Sequence, residues 1–453
     1  MASQTYMQLI RGNRSFRLLL AGQVVSELGN WFNFVAGLGL VRAVSGGDPQ
    51  VTAWVLMLRL APFALFAPLA GVCVDRWSRR TVMLVTDVAR AIAACGFLLV
   101  RGPEDLWLAY VSTFATTLLT AFFEAAKNAA VPNIVGERGL LAGNALMFSS
   151  RFLLLSLGAA LGGWASARFG YEAAFVINAL SFLVSAFSIW LIPAGEMREG
   201  ETPAVEKVAI GSQGRGVLAR VWADIREGWT YIWRTPLVAA LIGVNMLWAM
   251  GGGAIYLVYD QLGAQVFAPR EGWQPDAAAA AFYFASGIGL FISMMLARRA
   301  GDFFAARRWT ALLIGCGLIA HGIVFALAGL MPTLLLAALV VFVSRLIVGV
   351  EFAVQDTLLM SVLPDRVRGR VMITDRAGEM VVMGVGSALF GWSLNWITPH
   401  QLTIISGLLA ASPGVVWLLL VWSGKLSLPP EAGNGSPDAL APLEEEPRLA
   451  SVG

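Results

Sequence analysis

The chain has 453 residues, of which 57% are hydrophobic and only 13% charged, with a mean hydropathy of +0.70 and a formal net charge of +3. Soluble domains carry roughly 25% charged residues, so this composition excludes a soluble globular protein and indicates a polytopic membrane protein. Cys73, Cys95 and Cys316 lie in or beside apolar runs, with no CxxC and no Cys/His cluster, which argues against a disulfide framework or a zinc site.

The start, Met1 to Arg17, is polar and basic and shows no cleavable-signal pattern. Apolar runs long enough to cross a bilayer then recur near 16–43, 51–71, 81–101, 105–127, 142–167, 171–192, 236–260, 277–299, 309–330, 332–358, 372–397 and 401–423. The expected fold class is therefore an all-α membrane protein with twelve transmembrane helices in two six-helix bundles. The expected domains are a terminus at 1–15, a first bundle at 16–192, a linker at 193–235, a second bundle at 236–424 and a disordered tail at 425–453. Within the linker, apolar residues at 217, 218, 221, 222, 225, 229 and 232 fall at helical spacing and predict an amphipathic helix in the membrane interface. The tail is rich in Pro, Gly and Glu.

Charge sets the orientation. Of the 32 Lys and Arg, Arg42, Arg101, Arg168 and Arg270 fall on one side and Arg59, Arg90, Arg151 and Arg345 inside spans, leaving 24 on the side of the termini. The positive-inside rule then puts both termini and the central loop in the cytoplasm. Between the second and third spans lies Gly71-Val-Cys-Val-Asp75-Arg76-Trp-Ser-Arg79-Arg80, read as a tight charged hinge. A worn counterpart, Gly301-Asp302 with Arg307-Arg308, follows the eighth span. Val131-Pro132-Asn133 and Gly158-Ala-Ala-Leu-Gly-Gly163 are likewise echoed by Leu363-Pro364-Asp365 and Gly386-Ser-Ala-Leu-Phe-Gly391. Six plus six with a parallel repeat is the layout of a transporter whose halves rock about a central site.

These residues resemble the major facilitator superfamily. The hinge is similar to that family's loop between helices two and three, with Ser78 where many members have a second glycine. The Asp75-Arg76-x-x-Arg79-Arg80 form followed by Asp87-Val-Ala-Arg90 looks more like the drug:proton antiporter branch of macrolide efflux and siderophore (enterobactin-type) export proteins. Gly143-Asn-Ala-Leu146 and Leu363-Pro-Asp-Arg-Val-Arg-Gly-Arg-Val371 fit that branch too. The fifth-span glycines resemble the antiporters' Gly-Pro-x-x-Gly-Gly, with Ala159 in the usual place of proline. The resemblance implies a bacterial inner-membrane transporter. It also implies that Gly71, Asp75, Arg76, Arg79, Arg80, Asp87 and Arg90, with Asp375, Arg376 and Glu379 in the second half, form a cytoplasmic gate. A purely structural role for Asp87 and Arg90 at helix ends is the other reading.

Ionised side chains at mid-membrane are costly and call for a partner, a wet cavity or a proton. Gln23, Glu27 and Asn30 share a face of the first span, and Glu27 lies roughly 16 Å in at 1.5 Å per residue. Glu27 reads either as a proton-carrying carboxylate or as a helix–helix hydrogen-bonding residue. Arg59 reaches similar depth on the second span and either pairs with Glu27 or snorkels to headgroups. Glu124 and Lys127 read as an i, i+3 pair at the end of the fourth span. Arg151 and Arg345 either hold an anionic substrate group or a carboxylate; Glu351 and Asp356 are the in-helix carboxylates, with Asp356 on the better face for Arg345. Gly158, Gly162 and Gly163 read as a close helix-packing surface. Trp31, Phe34, Trp248, Tyr256, Tyr259 and Phe282 are candidates for an aromatic pocket wall or interfacial belts.

His321 and His400 make no metal set, and the sequence has no phosphate-binding loop or nucleophile motif, so ATP-driven pumping and enzymatic catalysis lack support. The expectation is a monomeric secondary transporter in the lipid bilayer, not an enzyme. It exports an amphipathic drug, antibiotic or siderophore by proton antiport, with the proton gradient as energy source, no cofactor and no nucleic acid partner. A lysophospholipid or nutrient transporter of the same fold, and a non-transporting sensor or assembly subunit, are the alternatives.

Overall fold

The computed structural model describes residues 5–197 and 226–426. Residues 217–225 of the expected linker helix and the tail from 427 lie outside the described residues. A short helix α1 (Tyr6–Gly12) precedes α2 (Arg14–Val44), α3 (Pro49–Arg76), α4 (Arg79–Cys95), α5 (Leu106–Phe169) and α6 (Tyr171–Trp190). After a short helix α7 (226–234) come α8 (Pro236–Gly252), α9 (Ile255–Asp260), α10 (Ala268–Glu271), α11 (Pro275–Ala305), α12 (Thr310–Ala328), α13 (Leu334–Val362), α14 (Asp365–Ser393) and α15 (Pro399–Trp422). We call the side where α2 begins and α15 ends the terminal face, and the other the far face.

Local chemistry places the ends. Asn13 Oδ1 accepts the Phe16 amide at 2.8 Å to start α2, and Asp48 accepts that of Gln50 at 2.8 Å ahead of Pro49, satisfying amides with no partner inside the helix. The fourth and fifth spans are two arms of α5, folded back at Gly136, whose φ of 64° is reached without strain only by glycine. Both arms extend further than the apolar runs at 105–127 and 142–167, because helix continues through 128–141 on either side of Gly136. The seventh span is also longer than expected. It continues past 260 through a π-helical Gln261–Phe267 to Glu271, and it breaks after Gly252. There a side chain on Gly251 would meet the Ala410 backbone at 2.8 Å, and one on Gly253 the Met383 carbonyl at 2.4 Å. Ser406 and Ser387 hydroxyls donate to the Gly251 and Gly253 carbonyls at 2.9 and 2.6 Å.

Eleven helices among the described residues are long and apolar enough to cross a membrane. The expected twelfth, α14, has the length at 29 residues but begins with Asp365, Arg366, Arg368, Arg370, Asp375, Arg376 and Glu379. Its charged half is what departs from a uniformly apolar span. The described part of the linker docks α7 onto that charged end: Glu227 pairs with Arg370, Ile232 is buried, and Trp229 and Trp233 stay exposed side by side.

The helices group as six and six, with α3 packed on α14 and α5 on α11 between the halves. One apolar core near the far face draws on both halves, joining Phe34, Val41 and Ala53 to Leu257, Phe282 and Val341. Toward the terminal face the core divides. One cluster, from Leu9 to Met197, lies wholly in the first half, and another, from Ile232 of α7 to Leu418, in the second. Small residues make the shared contact close: Gly287 backs onto the Ser156 backbone, Gly391 onto Ala53, and the Ser156 hydroxyl donates to the Phe284 carbonyl at 2.8 Å. Burial of apolar surface between the halves is therefore concentrated at one end.

Candidate functional site

A cavity of about 460 Å³ opens in the first half, lined by Gln23 and Glu27 of α2, Glu124 and Lys127 from the first arm of α5, and Asn144 and Arg151 from the second. Gln23 and Glu27 are four apart and so share a helix face. Gln23 Nε2 donates weakly to the Met147 carbonyl at 3.4 Å, holding α2 against α5. Lys127 Nζ donates to Glu124 Oε1 at 2.6 Å, so this i, i+3 pair is formed, but it faces the cavity rather than the membrane surface. Arg151 sits within electrostatic reach of both Glu27 and Glu124. The cavity thus presents two acids and two bases, only one couple of which is joined by an ion pair.

The other sequence candidates distribute around it. Asn30 is half-buried farther along α2 and outside the cavity lining. Arg59 does not make a contact ion pair with Glu27. Its guanidinium lies over the Phe34 ring, 4.3 Å from the centroid, and 5.5 Å from that of Trp31, a cation–π seat that stands in for a carboxylate. Glu27 remains close enough to Arg59 to act through space. Phe34 meets Tyr256 and Tyr283 edge-on across the halves, and Tyr259 stacks on Phe282. These aromatics pack into the sealed core shared by the halves and are not among the residues lining the cavity. Trp248 stands apart from it, beside His321 and Phe352.

Arg345 is buried in the second half, outside the cavity, with its guanidinium over Phe325 at 5.3 Å and the Tyr259 phenol beside it; among the described residues its Nε and Nη2 have no hydrogen-bond partner. Asp356 does not reach it, because Asp356 pairs with Arg376 one helix away. Glu351 is packed against Gly317, with one carboxylate oxygen unpartnered. His321 is bonded to the Ser344 hydroxyl at 2.7 Å.

The hinge differs from its sequence reading. Helix α3 runs through Gly71 to Arg76, and the turn is only Trp77 and Ser78. Nothing crowds Gly71, so no close approach explains it. The Asp75 and Arg76 side chains lie outside the described residues. Arg80 bonds the Trp190 carbonyl, tying α4 to the end of α6, and Arg79 opens α4. Asp87 and Arg90 pair with each other inside the first half, with Arg90 over Phe123 and Phe182 at 4.1 and 4.5 Å. In the second half Arg376 joins Asp356 and Glu379, and Asp375 accepts from Asn245 Nδ2 at 3.0 Å. Gln355 in turn donates to Asn245 Oδ1 at 2.7 Å. Of the expected gate charges, Arg80, Asp87, Arg90, Asp375, Arg376 and Glu379 are thus partnered within their own halves.

The fifth-span glycines do pack closely: a side chain on Gly158 would strike Trp31, on Gly162 the Phe32 backbone, and on Gly163 Ala280 of the other half. One cluster escaped the sequence reading altogether. Arg42, counted there only as a loop base, bonds both Asp260 and Asp276 across the halves at the far face. The available signal was a lone base and two acids at neighbouring ends of the first, seventh and eighth spans.

The comparisons with known proteins agree with this fold. The chain is 24% identical over 430 residues to the uncharacterized MFS-type transporter YfiS of Bacillus subtilis, covering 91% of this chain and 94% of the relative. It is 21% identical to Macrolide efflux protein A of Streptococcus pyogenes, over 91% and 97% of the two chains. Its fold matches the crystal structure of a POT family transporter in complex with a thioalcohol-conjugated peptide, with a TM-score of 0.70 at 13% identity over 90% of this chain and 96% of that one. Residues 19–374 match the model of the Major Facilitator Superfamily, and on that match, with the two-bundle fold, the chain belongs to this superfamily of transporters.

Proposed function

We propose that the protein is a secondary exporter of amphipathic organic molecules of drug, antibiotic or siderophore type, working by alternating access in exchange for protons. The observation that carries the reading is the charged cavity at Glu27, Glu124, Lys127 and Arg151, set beneath a core shared by both halves near the far face and divided toward the terminal face. With the terminal face in the cytoplasm, as the basic-residue bias supports, this is the state that receives cargo from inside. Rocking the halves would close the divided end and part the shared one.

The cavity chemistry suits an exchange. Among the described residues Glu27 makes no contact ion pair, and it lies within electrostatic reach of both Arg59 and Arg151, so a substrate group and a proton can compete for the same small set of charges. Arg376, with its partners Asp356 and Glu379, lies toward the cytoplasmic end of α14, where closure would bring it to the first half's charged loops, while the Asp87–Arg90 pair stays enclosed in its own half. The efflux name of the macrolide relative supports the outward direction. The test is uptake into everted membrane vesicles energised to be acid inside, with a labelled macrolide and a labelled catecholate siderophore as probes. Accumulation that collapses when the pH gradient is dissipated is expected. Accumulation unaffected by the gradient, or driven only by ATP, contradicts the proposal.

A further inference from the structure

At the far face a buried charge cluster joins the halves, and the cavity chemistry makes no use of it. Arg42, in the last turn of α2, bonds Asp260 of α9 and Asp276 of α11, and the three side chains are only 8%, 1% and 9% exposed. The fit is built in. Gly39 stands one turn before Arg42, and a side chain there would lie 2.5 Å from Asp276 Oδ1 and 2.7 Å from the Tyr171 ring. Gln261 Nε2 donates to Asp260 Oδ2 at 3.2 Å. The Tyr171 phenol of α6 lies beside Asp276, and Tyr283 of α11 faces Asp260 and Arg42. These are the titratable groups that meet the cluster from α2, α6, α9 and α11, and phenols carry no charge near neutral pH.

One arginine therefore serves two carboxylates. Among the described residues no second cation pairs with either acid, so with all three groups ionised the closed cluster retains one negative charge. A net charge enclosed in so dry a place is unfavourable, and one proton removes it. When the far face opens, water reaches the carboxylates and Arg42, and the need for that proton disappears.

We propose that closing this latch takes up one proton, shared by Asp260 and Asp276, so that acid outside drives the far face shut. The inference rests on the orientation proposed above. It deepens the antiport reading by giving the return stroke, after cargo release, a proton site of its own.

The test follows far-face opening in intact cells, using full-length protein with Cys73, Cys95 and Cys316 replaced by serine. The reporter is A53C, because Ala53 is sealed against Gly391 across the halves. It is labelled by a membrane-impermeant maleimide, and its rate is divided by that of E104C, an exposed far-face position, to cancel the pH dependence of the thiol. V51C, two residues away, is a second reporter should A53C disturb the seal. One-proton coupling makes the normalised rate fall with external acid by on the order of tenfold per pH unit once the proton-free closed form is negligible and the latch is mostly closed. In Asp260→Asn or Asp276→Asn the cluster is neutral without a proton, and the rate should be flat with pH. A flat profile in the parent reporter, a slope retained in both variants, or a response to Na⁺ at fixed pH overturns the proposal. The two readings separate cleanly. Loss of gradient-driven export with the labelling slope intact overturns antiport alone. A flat labelling profile with gradient-driven export intact overturns the latch alone.

Discussion

Replacing Arg90 by methionine tests whether the Asp87–Arg90 pair is held within one half. Asp87 is fully buried and Arg90 is 2% exposed, with the guanidinium enclosed by the Phe123 and Phe182 rings. Removing the cation leaves a buried carboxylate uncompensated, at a cost of about 3–5 kcal/mol, and forfeits two cation–π contacts as well. For a six-helix half of this size, roughly 2–4 °C of melting temperature per kcal/mol gives a fall of about 6–20 °C. Removing both charges in Asp87→Asn/Arg90→Met leaves two neutral groups in an apolar site and should recover most of that loss, as replaced buried pairs do. The assay is a thermal melt of purified protein in detergent for parent, both single variants and the double, read as a double-mutant cycle. A double variant no more stable than Arg90→Met would refute the reasoning. So would an Arg90→Met that melts with the parent, since the pair would then add nothing to the stability of its half.

Three further outcomes follow from the packing. Gly287→Val would push a side chain to within 2.6 Å of the Ser156 backbone, so the far-face seal should loosen and A53C label faster in a protein that still elutes as a monodisperse peak; unchanged labelling contradicts the close approach. Asn245→Leu removes the donor to fully buried Asp375 and the acceptor of Gln355, and it should lower stability by about 1–3 kcal/mol, with Asp375→Asn in the same chain restoring part of the loss on a thermal melt. Arg345 has Nε and Nη2 unpartnered, so Arg345→Met should leave the melting temperature unchanged or raise it; a drop as large as that of Arg90→Met would show a carboxylate partner.

The fold was legible because bilayer thickness writes span lengths directly into hydropathy, and the short polar connections punctuate them. Gly136 shows where that reading blurs: a helix does not stop where an apolar run is interrupted, so 128–141, with Asn128, Asn133, Glu137 and Arg138 among apolar residues, is helical on both sides of one left-handed glycine. The cavity acids and bases Glu27, Glu124, Lys127 and Arg151 were visible as ionised residues in apolar runs, since each is expensive there. Their partners were not. Depth placed Arg59 near Glu27, but the rotamer that seats it on Phe34 depends on tertiary packing. Asp356 shares a face with Arg345, yet Arg376 from α14 competes for it successfully. Arg42, Asp260 and Asp276 looked like ordinary loop-end charges because nothing local marks three helix ends as meeting.

The central claim is that cargo and proton exchange at the Glu27 cavity. Its most direct test is substrate-evoked proton release from purified protein in weakly buffered detergent solution, followed with a pH indicator, for the parent and Glu27→Gln. A saturable release on adding transported substrate is expected in the parent, and its loss in Glu27→Gln, with substrate binding retained. Binding without proton release in the parent, or full release from Glu27→Gln, would contradict it.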